Sequence, residues 1–357
     1  LGASAFEEWG WRIPFLISSL YLIFSIFLRM QMQESQAFQN LKLNGGLSRS
    51  PMKETFLVWD NLKKVLICLF GGILGQAIII SMSNLYLLYF LTQILKVDSF
   101  AANLCLSISL FFYVLFVLYF GRLSDRVGRR KLIVTGCFLA CISIYPVYQG
   151  LTWSANAQLA KAQIQTPVFL KAPLSTCHFQ WMESRQEIPR TLCDKAKRAL
   201  INLGMSYRQM NIPQGQDSFI EMGHDRIQLN SNESIQSQLQ MLQKKYFYPE
   251  KANMQEFSYI KVICLISYLL FISAMLLGPL ACFLVEMFPT RIRYTGMSFP
   301  YHFANGFFGG FLPAICFGIV TYTGNIYSGL WYGIILSGLS FMVSFLFLPE
   351  TKNKNIH

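Results

Sequence analysis

Apolar positions in this chain fall into long runs separated by short polar connections, and one long polar stretch interrupts the series. A helix needs about 20 mostly apolar residues to cross a hydrocarbon layer. Six runs reach or approach that length: Val65–Leu95, Ala101–Phe120, Leu132–Leu151, Tyr259–Phe288, Phe299–Tyr322 and Ile326–Leu348. A seventh, Ile13–Leu28, has only 16 residues. It is bounded by Arg12 and Arg29 and preceded by Trp9 and Trp11, the amphipathic rings that collect at a membrane interface. The pattern predicts seven membrane-spanning helices.

Composition agrees with lipid as the solvent. Hydrophobic residues make up 53% of the chain and charged residues 13%, about half the usual share of a soluble domain. The net charge of +12 raises nucleic acid as a partner. The basic residues lie mostly between apolar runs, however, where a membrane protein places them, so no nucleic-acid partner is expected.

Lysine and arginine also predict the orientation. Arg29, Lys42, Arg49, Lys53, Lys63 and Lys64 follow the first run. Arg122, Arg126, Arg129, Arg130 and Lys131 follow the third, Arg291 and Arg293 the fifth, and Lys352 and Lys354 the seventh. Outside the polar stretch, the opposite side carries only Arg12 and Lys96. The first side is expected to be cytoplasmic. Seven spans then place the N-terminus outside, an arrangement that an odd number of preceding spans explains.

The polar stretch, roughly Trp153–Ser258, falls on the outer side. Its pattern predicts helices at Ala155–Gln165, Thr191–Leu203 and Ile235–Phe247, strands at Pro167–Leu170 and His178–Met182, and two further strands before the last helix. Ala196, Ala199, Leu200 and Leu203 share one face of the second helix. A small α+β domain is expected. It holds two cysteines, Cys177 and Cys193, which an oxidising outer compartment would pair, the alternative being two free thiols. The other seven cysteines sit in apolar runs, where a thiol behaves as a small buried hydrophobe. No cysteine or histidine spacing suits a metal. The Asn232-Glu233-Ser234 sequon is read as chance.

The sharpest motif is Gly121-Arg122-Leu123-Ser124-Asp125-Arg126-Val127-Gly128-Arg129-Arg130, in a short turn between two spans. Gly121 and Gly128 suit close packing or a positive φ. Asp125 is placed to meet the N-terminus of the next helix and a neighbouring arginine. Arg126, Arg129 and Arg130 suit carboxylates or helix C-termini. Such a cluster can latch helices together, which a plain basic loop would not need.

This decapeptide resembles the loop signature of the major facilitator superfamily. Glu8-Trp9-Gly10-Trp11-Arg12-Ile13-Pro14-Phe15 resembles the entry to the sixth span in its metabolite:proton symporter branch, which includes proline/betaine, shikimate, citrate and α-ketoglutarate permeases. Glu286-Met287-Phe288-Pro289-Thr290-Arg291-Ile292-Arg293-Tyr294-Thr295-Gly296 resembles that branch's turn between spans ten and eleven. Phe308-Gly309-Gly310, Pro313 and Pro349-Glu350-Thr351 add to the resemblance. It implies an all-α polytopic membrane protein with a small α+β extracytoplasmic insert. The implied division is span six (1–30), a cytoplasmic central loop (31–64), spans seven to nine (65–152), the insert (153–258), spans ten to twelve (259–349) and a cytoplasmic tail (350–357). Spans one to five would then be partners from outside this sequence. The implied location is a bacterial inner membrane, with the insert in the periplasm.

Two helices carry residues that suit a central cavity. Gln76 and Ser83 share a face with Gly72, and Asn84 is adjacent. His302, Asn305, Gly306, Gly309, Gly310 and Pro313 form one stripe at helical spacing. The alternative for the small residues is close helix packing. His302 stands where the family pattern often has Asn. No acidic or basic residue lies deep in the second to seventh runs, Lys261 and Glu286 being near the ends of one. A proton symporter needs a titrating carboxylate, so proton coupling would rest with residues elsewhere. No nucleotide loop, nucleophile or cofactor motif is present, so no enzyme and no cofactor are expected. The leading reading is the C-terminal portion of a secondary transporter of small organic solutes, such as carboxylates or zwitterionic osmolytes. The alternative is a non-transporting remnant or a membrane-bound interaction protein using the insert.

Overall fold

The computed structural model describes residues 3–32, 34–177, 191–229 and 234–352. Seven helices in it are long and apolar enough to cross a membrane: Gly10–Gln31, Trp59–Ile94, Ser99–Val127, Arg129–Ala155, Tyr259–Met287, Arg293–Thr323 and Leu330–Phe347. They are called the first to seventh spans below. The protein is a multi-pass membrane protein.

The second span is the most buried and stands at the centre of a bundle formed by spans two to seven. The fifth packs along the third and fourth, and the seventh lies between the fourth and second. Lipid gives helices no hydrophobic reason to associate, so close backbone approach and buried hydrogen bonds must hold them. Both are present. Gly75 of the second span donates its N–H to Ser340 Oγ of the seventh at 3.1 Å. A Cβ at Gly75 would sit 2.7 Å from Cys137 Sγ of the fourth span and 2.8 Å from Ser340 Oγ. Three helices therefore meet where one side chain is missing. The Tyr148 hydroxyl donates to Met82 O at 2.7 Å, tying the fourth span to the second. The first span buries none of its apolar window against the rest of the described chain.

Polar connections hold more structure than the apolar pattern conveys. The 31–64 segment contains helices Gln36–Leu43 and Pro51–Leu57, and the second span begins inside it, at Trp59. The turn expected around Gly121–Arg130 shrinks to Gly128 alone. The third span runs on to Val127 and the fourth starts at Arg129. Arg122, Ser124, Asp125 and Arg126 fit a helix that leaves the membrane, so the apolar boundary is not the helix boundary. Of the seven unpaired cysteines, Cys264 and Cys282 are exposed on the outside of the fifth span rather than buried. A thiol is apolar enough for a surface that faces lipid.

The insert folds as helix α1 (Ala157–Gln165), strand β1 (Val168–Lys171), helix α2 (Leu192–Asn202), strands β2 (Tyr207–Met210), β3 (Phe219–Met222) and β4 (Asp225–Gln228), and helix α3 (Ile235–Lys245). The sheet order is β2-β1-β3-β4. Strand β1 pairs parallel with β2 and antiparallel with β3, with Val168 opposite Tyr207 and Met222. Val168, Leu170, Tyr207, Ile220 and Met222 are buried on the side that packs inward. Ala196, Ala199 and Leu200 of α2 are buried, while Leu203 is only partly so. Cys193, at the start of α2, is disulfide-bonded to Cys177. The strand expected at His178–Met182 and residues 232–233 of the sequon lie outside the described residues.

The insert is fastened to the span ends. Tyr207 N donates to Gly324 O at 2.9 Å and the Tyr207 hydroxyl to Thr321 O at 2.7 Å, both at the end of the sixth span. Lys197, 2% exposed, donates to Tyr322 O at 3.4 Å and lies 4.8 Å from the Tyr322 ring centroid. A cation at a helix C-terminus is favourably placed against the helix dipole. Ala252 N donates to Lys96 O, Asn156 Nδ2 to Leu95 O and Ser258 N to Ser154 O, each at 3.0 Å.

Replacing Gly75 by Val should destabilise the bundle by about 1–3 kcal/mol through overpacking. Thermal unfolding of the purified protein in detergent checks this, and an unchanged midpoint would contradict the three-helix contact.

Candidate functional site

Chain direction puts four helix ends together on the face opposite the insert: the end of the third span, the start of the fourth, the end of the fifth and the end of the seventh. Helix starts gather bare N–H groups and helix ends bare carbonyls. The charged residues there answer those needs.

Arg129 is the centre. Its side chain is 9% exposed. Nη1 donates to Ser124 O at 2.9 Å, capping the last turn of the third span. Nη2 lies 2.9 Å from Asp125 Oδ1 and donates to Glu286 Oε1 at 3.0 Å, so one guanidinium joins the third, fourth and fifth spans. Glu286 Oε2 in turn accepts the Thr351 hydroxyl at 2.6 Å, which brings in the chain beyond the seventh span. Arg129 Nε is buried and has no hydrogen-bond partner.

Asp125 pairs with arginine, but it does not cap the fourth span. Glu350 does, its Oε1 accepting the Arg129 N–H at 3.0 Å. The reason lies in Gly128. Its φ of +106° turns the chain in one residue, and a Cβ there would collide with the Glu350 carboxylate. Asp125, on the last turn of the preceding helix with 65% of its side chain exposed, points to Arg129 instead. Gly121 serves close packing: a Cβ on Gly278 of the fifth span would lie 2.8 Å from Gly121 N.

The remaining cations are shared among neighbouring carbonyls and one surface carboxylate. Arg130 Nη2 donates to Phe345 O at 2.7 Å, at the end of the seventh span. Arg293 Nε donates to Phe288 O at 3.2 Å, just past the fifth. Arg126 contributes its carbonyl, which accepts Lys352 Nζ at 2.7 Å. Arg291 grips Glu54 of the Pro51–Leu57 helix with two nitrogens, Nε to Oε2 at 2.9 Å being one contact. That hydrogen-bonded guanidinium holds the Glu54 carboxyl below its usual range. The turn grouped in sequence as Glu286, Arg291 and Arg293 thus divides among separate partners. Glu350, Thr351 and Glu54 were not singled out for these contacts by sequence reasoning. Pro349, which ends the seventh helix just before Glu350, was the available signal for the first.

The candidate cavity residues separate. Gln76 is 3% exposed with Oε1 unpartnered, and Ser83 is fully buried and donates to Ile79 O, so both lie inside the bundle. Asn84 and Asn305 are half-buried and donate to Ile80 O and Tyr301 O, while His302 is exposed. In the glycine stripe, a Cβ at Gly309 would lie 2.9 Å from Ser81 Oγ of the second span, whereas Gly306 meets nothing within 4 Å. The second and sixth spans touch through Gly309, and Gly306 faces open space. Among the described residues no cluster of His, Cys, Asp or Glu suits a metal.

A family model described as Major Facilitator Superfamily matches residues 65–160, and one described as Sugar (and other) transporter matches residues 241–357. The chain is 24% identical over 140 residues to a protein named for proline/betaine transport from Staphylococcus haemolyticus (38% of this chain, 28% of that one). It is 30% identical over 158 residues to a citrate-proton symporter of Salmonella typhi (43% and 34%). It is 27% identical over 150 residues to an alpha-ketoglutarate permease of Escherichia coli (42% and 33%). The matched stretches span about a third of these relatives' length. No solved structure matches the chain.

Removing one partner of a buried ion pair strands the other, at a cost of about 3–5 kcal/mol, whereas an exposed pair contributes below about 1 kcal/mol. Glu286→Gln should therefore lower stability far more than Asp125→Asn. Chemical unfolding of the two variants checks the order, and equal losses would contradict the burial argument.

Proposed function

Because the chain belongs to the major facilitator superfamily, we propose that it forms the C-terminal portion of a secondary active transporter for small organic solutes, carboxylates or zwitterions, moved together with protons. The observation that carries this reading is the Arg129 cluster. It ties the ends of four spans by a few charge-assisted bonds, not by a continuous apolar seam. Such contacts can part and re-form as a helix bundle rocks. The unpartnered Arg129 Nε weakens the closed arrangement by on the order of 1 kcal/mol, in keeping with a latch that must open.

In this reading the Arg129 face is cytoplasmic and the insert lies in the periplasm, the membrane being the bacterial inner membrane. Asn84 and Asn305, half-buried, and His302, exposed, line half of the solute path on the second and sixth spans. Five further spans supply the facing half. The acidic groups of the described spans stand at span ends, as Glu286 does, so the proton-carrying carboxylate is assigned to those further spans. Charge-capped helix ends, an apolar bundle and relatives named as symporters and permeases support a transporter rather than an enzyme.

Uptake of labelled proline, glycine betaine, citrate and α-ketoglutarate by cells expressing the complete gene tests the proposal. At least one should accumulate above the vector control and be lost on adding a protonophore. No accumulation of any, in cells that insert the protein, would favour a non-transporting role. Asp125→Asn should slow uptake by about fivefold, roughly 1 kcal/mol in rate, with unchanged membrane insertion. Unaltered uptake kinetics would remove the latch from the transport cycle.

A further inference from the structure

A cavity of about 660 Å³ opens at the end of the molecule opposite Arg129, where the insert meets the spans. Small-molecule sites occupy about 300–1,000 Å³. Its wall is assembled from three distant parts of the chain. The turn between the second and third spans gives Lys96 and Asp98, the end of α2 gives Asn202, and α3 with the segment after it gives Gln243, Glu250 and Lys251. Asn202, Leu203 and Gln240 of this wall lie between the two family matches, and the rest of it lies within them.

Lys96 is held there against backbone preference. Its φ is +56°, a region uncommon for residues other than Gly, Asn and Asp. Such strain persists where surrounding contacts fix it and is concentrated at functional sites. Lys96 O accepts the Ala252 N–H at 3.0 Å, and Val97 N donates to Leu91 O at 2.9 Å. The side chain is half-buried, and burial lowers its pKa. Among the described residues it makes no ion pair. The adjacent Asp98 carboxylate is engaged elsewhere, since its Oδ2 accepts Phe100 N at 3.0 Å and Ala101 N at 3.2 Å to start the third span. Lys96 is therefore a partly desolvated cation outside any ion pair, in a cavity whose lining also holds Glu250 and Lys251.

Gln243 supplies the complementary lack. It is 1% exposed, and its Oε1 has no hydrogen-bond donor. A buried acceptor left unpaired costs about 1–3 kcal/mol. Gln243 is one of the residues that line the cavity. A second cavity of about 80 Å³ shares Lys96 and Asn202 and reaches Tyr89 and Gln93 of the second span and Phe317 of the sixth. Lys96 thus stands between the insert and the outer ends of the second and sixth spans.

We propose that the insert and the outer span ends form a binding site for a small carboxylate that also bears an N–H or O–H donor, with Lys96 taking the carboxylate and Gln243 Oε1 the donor. The site does not depend on the transport reading, because binding is measured without uptake.

Equilibrium dialysis of the whole protein in lipid nanodiscs, with four probes, tests this. Proline pairs a carboxylate with an ammonium, citrate pairs carboxylates with a hydroxyl, glycine betaine has a carboxylate and no such donor, and choline has a hydroxyl and no carboxylate. Proline or citrate should bind saturably, and which one binds identifies the donor. Glycine betaine should bind at least about tenfold more weakly, and choline not at all. Lys96→Asn, which tolerates the positive φ, should weaken proline or citrate by about tenfold or more, a loss of about 1.4 kcal/mol. Gln243→Leu should do the same, and should that variant fail to fold, Lys96→Asn decides. The proposal is overturned if neither proline nor citrate binds, if glycine betaine binds as well as they do, or if Lys96→Asn leaves their affinity unchanged. Uptake without Lys96-dependent binding would sink the site and leave the transport reading, and the reverse result would do the opposite.

Discussion

The Arg129 guanidinium is the contact on which the membrane-embedded architecture turns. A helix bundle in lipid is not squeezed together by water, so its ends must be secured by specific polar bonds. Arg129 stands at the first residue of the fourth span, caps the third, binds Glu286 of the fifth and, through Glu286 and Thr351, reaches the chain beyond the seventh. Its own N–H is taken by Glu350. Backbone and side chain of one residue serve four helix ends, which is possible because Gly128 reverses the chain in a single step.

The opposite end is organised on different physics. There the insert brings an apolar core and a disulfide, and it fastens to the spans mostly through backbone hydrogen bonds and through Tyr207 and Lys197. These bonds leave the Arg129 face free of the insert. The two ends are thus held by separate sets of contacts. What the insert adds is a wall for the outer cavity, with Lys96 and Gln243 each short of a partner.

Much of this was legible in the residues. Seven apolar runs gave seven spans, and the patterns in the polar stretch located helices α1 to α3 and strand β1 to within a few residues, but only two strands, without bounds, were expected where β2, β3 and β4 stand. The ordered Gly-Asp-Gly-Arg-Arg motif marked the charged face. Partner identity was harder. Asp125 precedes Arg129 by four residues, so local spacing suggested that pair, but Glu350 and Glu286 are distant in sequence and their approach to Arg129 is set by how the fifth and seventh spans pack. Ser83 and Gln76 read as cavity-lining because polar residues on a span stand out. The second span is the most buried one, and Gln76 and Ser83 lie on its covered side, where Ser83 satisfies itself on Ile79 O. The outer cavity had no sequence signature, since its wall joins three remote segments and its marks are a backbone angle at Lys96 and an unpaired oxygen.

The most direct measurement of the Arg129 account is a double-mutant cycle between Arg129→Gln and Glu286→Gln, read as unfolding free energy in detergent. The two side chains should couple by more than about 1 kcal/mol, because each single change strands a buried partner that the double change removes. Additive losses, with coupling near zero, would mean that Arg129 does not hold the fifth span and that another contact secures the bundle.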